Sequence, residues 1–131
     1  MDSEKSFAMS IPAIEEFTSV ASNAISGACA AYGVSLYLLD DVRIASTEAI
    51  YCLRHQPGEA ENIEIRCERR CCGLIIEFTA LSSYIKKSLP RSDDDITRGI
   101  LETLVPKVNI LSDDRGIFCI TFYFPAHEES K

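Results

Sequence analysis

The chain has no surplus of basic residues. Thirteen Lys and Arg stand against 20 Asp and Glu, a net charge of −7. A protein that grips nucleic acid by its phosphates needs a positive face, so nucleic acid is not an expected partner. No uncharged apolar run approaches the ~18 residues of a membrane span, so a membrane is not expected either. The first ten residues, MDSEKSFAMS, lack a basic start leading into an apolar stretch, and no secretory signal is expected there. No Gly/Ser/Pro-rich linker, internal repeat or low-complexity tract divides the 131 residues, which fit one domain. The expectation is a single-domain cytoplasmic protein.

Cysteine is present, but a metal-binding spacing is not. Cys29, Cys52, Cys67, Cys71, Cys72 and Cys119 include no CxxC pair and no second pair to complete a zinc cage. Without an export signal they read as reduced thiols rather than disulfides, and no metal ligand is assigned. A redox sensor built on Cys67, Cys71 and Cys72 is the alternative use of that cluster. With 47% hydrophobic and 25% charged residues, the chain is composed like a globular protein, not a disordered one.

Apolar periodicity gives the outline. Residues 5–11 alternate, with Phe7, Met9 and Ile11 on one side, as a short strand does. Pro12 suits a first helical position. Ile14, Phe17, Val20, Ala21, Ala24, Ile25, Ala28 and Tyr32 then recur at helical spacing up to a stop at Gly33. Ser35 can cap a second helix carrying Leu38, Leu39, Val42, Ala45, Ala49, Cys52 and Leu53, which ends before Gln56-Pro57-Gly58. Residues 62–68 alternate strictly and 73–79 read as their hairpin partner, while 80–91 read as irregular. Ser92 and Asp95 form a capping box for a third helix with a stripe of Ile96, Ile100, Leu101 and Leu104, limited by Pro106. Residues 108–111 and 117–124 close the chain as a hairpin about a turn at 112–116. The order β-α-α-β-β-α-β-β predicts an α/β two-layer sandwich. Its mixed, mostly antiparallel sheet has about five strands, with three helices on one face.

Chemistry concentrates on the second helix. Asp41, Ala45, Glu48, Cys52 and His55 share one face at three- and four-residue spacing. Glu48 lies among apolar neighbours, an awkward place for a carboxylate without a partner or a purpose. The plain alternative is a boundary glutamate held by a neighbouring donor. His55, near the helix C-terminus, complements the helix dipole.

The segment Arg43-Ile44-Ala45-Ser46-Thr47-Glu48-Ala49 resembles the N-box helix of GHKL (histidine-kinase-like) ATPases. The likeness is to the bacterial anti-sigma factor/serine-protein kinase branch, where the helix reads approximately A-x-S-E-A-x-x-N-A-x-x-H. In that branch the glutamate positions or activates the nucleophile, and the asparagine coordinates Mg²⁺ on ATP. Glu48 stands at the glutamate, Cys52 at the asparagine, and His55 one residue from the histidine. The likeness runs along the chain through Met9-Ser10-Ile11-Pro12-Ala13, Gly58-Glu59, the strands at 62–68 and 73–78, Ile100-Leu101-Glu102-Thr103-Leu104, Val108-Asn109-Ile110 and the closing hairpin. It implies a single histidine-kinase-like domain over residues 1–131.

The departures fall on the nucleotide positions. Ala80 stands where the adenine-reading aspartate of the D-x-G box would be, and Ser82 where its glycine would be. Adenine's amine would lose its carboxylate acceptor, and the thiol of Cys52 is a poor ligand for hard Mg²⁺. The family's glycine-rich phosphate stretch falls on Asp94-Asp95-Ile96-Thr97. There Asp93, Asp94 and Asp95 would oppose phosphate, although aspartates at a helix start also suit its dipole. The segment 80–92 is short for an ATP lid. No cofactor is therefore expected, with ATP and Mg²⁺ entering only if the altered site still works.

The resemblance then implies a regulator that binds protein, either a sigma factor or a STAS-domain anti-anti-sigma protein, and forms a homodimer. The alternative it implies is an active serine-protein kinase with Glu48 acting on the substrate hydroxyl.

Overall fold

The computed structural model describes residues 5–70, 73–82 and 94–125. Ser92, Asp93, Cys71 and Cys72, and with them the capping box and most of the segment 80–92, lie outside the described residues. The chain runs β1 (Lys5–Pro12), a 3-10 turn (Glu15–Phe17), α1 (Thr18–Ala31), α2 (Leu36–Arg54), β2 (Asn62–Arg70), β3 (Gly73–Leu81), α3 (Asp94–Leu104), β4 (Lys107–Asp113) and β5 (Gly116–Pro125). This is the expected order. Its five strands lie in the order β1-β2-β3-β5-β4.

All four strand pairings are antiparallel, which corrects the expectation of a mixed sheet. The connections explain it. Two helices in succession, α1 and α2, return the chain so that β2 runs against β1. The single helix α3 makes β4 parallel to β3, but the hairpin inserts β5 between them, so no parallel pair is bonded.

Pro12 does not open a helix. It ends β1 opposite Asn62, on an edge strand where the missing N–H costs little, and α1 begins six residues later. α1 stops as expected at Gly33 (φ +90°), whose N–H donates to Ala30 O at 3.0 Å while Val34 N–H donates to Cys29 O at 3.0 Å. α2 starts at Ser35, whose hydroxyl accepts from Tyr37 N–H at 3.1 Å.

The alternation in β2 and β3 places Ile63, Ile65, Cys67, Leu74, Ile76 and Phe78 on the helix-covered face, all buried. They meet Ile120, Phe122 and Phe124 of β5, with Phe78 and Phe122 ring centroids 5.1 Å apart. From above, α1 contributes Ala21, Ile25 and Cys29, and α2 contributes Val42, Ala45, Ala49, Ile50 and Leu53. Two expected stripes are narrower than their periodicity. Ile14, Phe17 and Val20 are exposed, as are Ile96 and Ile100, and α3 buries only Thr97 and Leu101. α3 lies beside α2, so one flank of each remains open.

Candidate functional site

The face of α2 that carries Glu48 and Cys52 turns toward α3 because Val42, Ala49 and Leu53 of the same helix are buried in the core. α3 begins with Asp94 and Asp95, carboxylates that favour the positive end of the helix dipole. The two helices run in opposite senses. Glu48 meets the beginning of α3 through Thr97, whose hydroxyl donates to Glu48 Oε2 at 2.8 Å. Gln56, further along, meets the earlier residue Asp94, whose Oδ1 accepts from Gln56 Nε2 at 2.9 Å.

Gln56 is the hub. Its second amide hydrogen goes to Cys52 O at 3.1 Å, and its Oε1 accepts Ile117 N–H of β5 at 2.8 Å. One buried side chain, 6% exposed, thus ties α2 to α3 and to the sheet. The thiol of Cys52 lies 4.0 Å from Asp94 Oδ1 and 3.5 Å from Gln56 Nε2. Gly116 makes room for this clamp. Its φ is +108°, and a Cβ there would overlap Gln56 Oε1 and lie 2.8 Å from Pro57 Cδ.

The structure therefore brings together Glu48, Cys52, Asp94 and Thr97, four of the positions singled out in the sequence. It sets His55 and Asp95 apart and leaves Ala80 and Ser82 outside the hydrogen-bonded group, beside a small cavity they share with Gln56. His55 caps the end of α2, with Nδ1 2.8 Å from Tyr51 O and its ring 4.3 Å from the Tyr51 ring. Asp95 is exposed. Ala80 and Ser82 lie at the far end of β3, where Ser82 Oγ donates to Gly58 O (2.9 Å) and Glu59 O (3.2 Å). The plain reading of Glu48, a boundary carboxylate held by a neighbouring donor, describes what is seen.

These residues do not fit a nucleoside triphosphate. Among the described residues Asp94 presents a carboxylate where the resemblance would put a phosphate, which needs donors, and the hydroxyl of Thr97 donates to Glu48. The cavity beside Gln56, Ala80 and Ser82 holds about 190 Å³, below the ~300 Å³ at which ligand pockets usually begin. The neighbouring hollow of about 370 Å³ is lined by Asp94, Asp113 and Asp114 together with Arg98, while Arg115 pairs with Asp113 at 3.2 Å. It favours cations over phosphate.

Sequence reasoning missed Gln56. It read the residue as part of a turn, although it stands eight residues after Glu48, where the quoted motif has its histidine. That spacing was the available signal. It also missed a buried thiol pair away from this junction. Cys29 is pushed up to about 12 by burial and then by the neighbouring Cys67, and burial likewise raises Cys67 to about 12. Both are neutral thiols at ordinary pH. The four described cysteines are buried, and among the described residues no group of three or more His, Cys, Asp and Glu could hold a metal ion. No helix among the described residues is long and apolar enough to cross a membrane. No family model matches the chain, and a search of curated proteins returns no match.

Proposed function

We propose that this chain is an anti-sigma-type protein of the histidine-kinase-like fold that works by binding another protein, without ATP. Its partner is a sigma factor or a STAS-domain anti-anti-sigma protein. The observation that carries this reading is the polar lock at the α2–α3 junction. Asp94 and Thr97, two of the residues at nucleotide positions of the resemblance, are hydrogen-bonded to Gln56 and Glu48. The two-layer architecture and the element order support the same reading.

The kinase alternative needs Glu48 to take a proton from an incoming hydroxyl. One of its oxygens, Oε2, accepts from the Thr97 hydroxyl, which turns the carboxylate toward α3 and leaves its other oxygen to accept a further proton donor. Mixing the purified chain with the sigma factors and STAS-domain proteins encoded in its own genome, with labelled ATP present, separates the two. Binding reads a stable complex with one partner, with no phosphate transferred. Transfer to a STAS-domain protein that disappears in Glu48→Ala establishes the kinase instead. Sedimentation of the chain alone reads the homodimer that the same resemblance implies.

A further inference from the structure

We infer that the open groove between α2 and α3 is a docking surface for an amphipathic helix of a partner protein, one with basic residues flanking its apolar stripe. The inference rests on the protein-binding reading and names the surface and the chemistry of the partner. Four large apolar side chains bracket the Glu48–Thr97 hydrogen bond. Ile44 lies one turn before Glu48 and Ile100 one turn after Thr97, so the opposed sense of the helices sets these two at the same end. Tyr51 lies one turn after Glu48 with its ring beside His55, and Ile96 lies next to Thr97, level with the bond. They are 47%, 37%, 42% and 63% exposed for Ile44, Ile100, Tyr51 and Ile96 respectively, far from core values.

Exposed apolar residues scattered singly need no explanation. Four on the facing flanks of two adjacent helices form a stripe on each side of one furrow, the shape that receives a third helix. The polar groups along that furrow select the guest. Asp41 and Glu48 lie on the α3-facing flank of α2, and among the described residues of that helix no Lys or Arg shares that flank. Arg43 is turned toward Asp40 at 3.0 Å, and Arg98 toward Glu102 at 3.9 Å on the β4 side. Among the described residues the donor to Glu48 is a neutral hydroxyl, that of Thr97. A lysine or arginine beside the apolar stripe of an incoming helix supplies the missing positive charge, and the chain's net −7 steers it there.

The probe is an 18-residue peptide of Leu and Lys, with leucines at helical i, i+3, i+4, i+7 spacing. It is compared with a scrambled peptide of the same composition and with a Leu/Glu counterpart, by fluorescence anisotropy at physiological salt. The full chain should bind the amphipathic Leu/Lys peptide at least tenfold more tightly than either control. Ile44→Ser with Ile100→Ser should remove that preference, and Glu48→Gln should reduce it. The substituted isoleucines are exposed, so an unchanged urea midpoint shows that the fold persists. Equal binding of ordered and scrambled peptides overturns the proposal by showing charge attraction alone. So does undiminished binding by the isoleucine variant. A chain that sediments as a dimer until Ile96→Ser and Ile100→Ser dissociate it also overturns the proposal, because a second copy then fills the groove. If the groove fails while a sigma factor or STAS-domain protein still co-elutes with both variants, protein binding stands and uses another face.

Discussion

The sheet–helix core and the α2–α3 junction are held together in opposite ways. The core is apolar and redundant. Phe78, Phe122, Ile76 and Ile120 bury each other from adjacent strands, and any one contact is a small part of the total. The junction is polar and singular. Gln56 satisfies the Ile117 N–H and donates, beside the Cys52 thiol, to Asp94 Oδ1, and the missing side chain of Gly116 leaves it space. A core of this kind fails in proportion to the volume removed, whereas a junction of this kind fails when one group goes. Such a junction also fixes how the helices sit, which suits a protein whose use is to present a surface.

The comparison can be broken most forcefully in the core. Phe78→Ala or Phe122→Ala removes a fully buried ring from a paired aromatic cluster and should cost about 3–5 kcal/mol, read from the urea midpoint with m unchanged. Gln56→Ala deletes fewer buried atoms but strands a buried N–H and uncovers a carboxylate, so about 2–3 kcal/mol is expected. A loss below 0.5 kcal/mol would show that the clamp is ornamental. Gly116→Ala should act on the same clamp by a different route, forcing a side chain into positive φ against Gln56 and Pro57, for about 1–3 kcal/mol. If the clamp is the common cause, the costs of Gln56→Ala and Gly116→Ala combine to less than their sum.

The core was legible because its signal is local. Strict alternation at 62–68 placed Ile63, Ile65 and Cys67 inward, and Ser35 and Gly33 bounded their helices by cap chemistry that needs no tertiary context. Pro12 was misassigned because a proline suits both a strand end and a helix start, and pairing with Asn62 decided between them. The exposure of Ile96 and Ile100 was not legible either. Periodicity gives the width of an apolar stripe but not how much of it a neighbouring helix covers. The junction was half legible. Helical spacing put Glu48 and Cys52 on one face, but the partners Thr97 and Asp94 are 49 and 42 residues distant from them. Only its distance of eight residues from Glu48 marked Gln56 as more than a turn residue.

The smallest effect expected near neutrality belongs to the core's thiols and appears only in alkali. Cys29 and Cys67 ionise at about 12 in the folded chain, against an ordinary value of 9.0, so the unfolded chain releases their protons first. Stability should be undiminished below about pH 9 and fall as the pH rises from there toward about 12. Urea midpoints from pH 8 to 11 check this, and Cys29→Ala with Cys67→Ala should flatten the decline. An equal decline in that variant would place the alkaline sensitivity elsewhere.

The claim that the nucleotide positions are closed by their own side chains is tested most directly by titrating Mg-ATP into the full chain by calorimetry. The account predicts no saturable heat at concentrations up to about 1 mM, an affinity weaker than about −4 kcal/mol. Binding in the micromolar range, weakened by Asp94→Ala or Cys52→Ala, would contradict it.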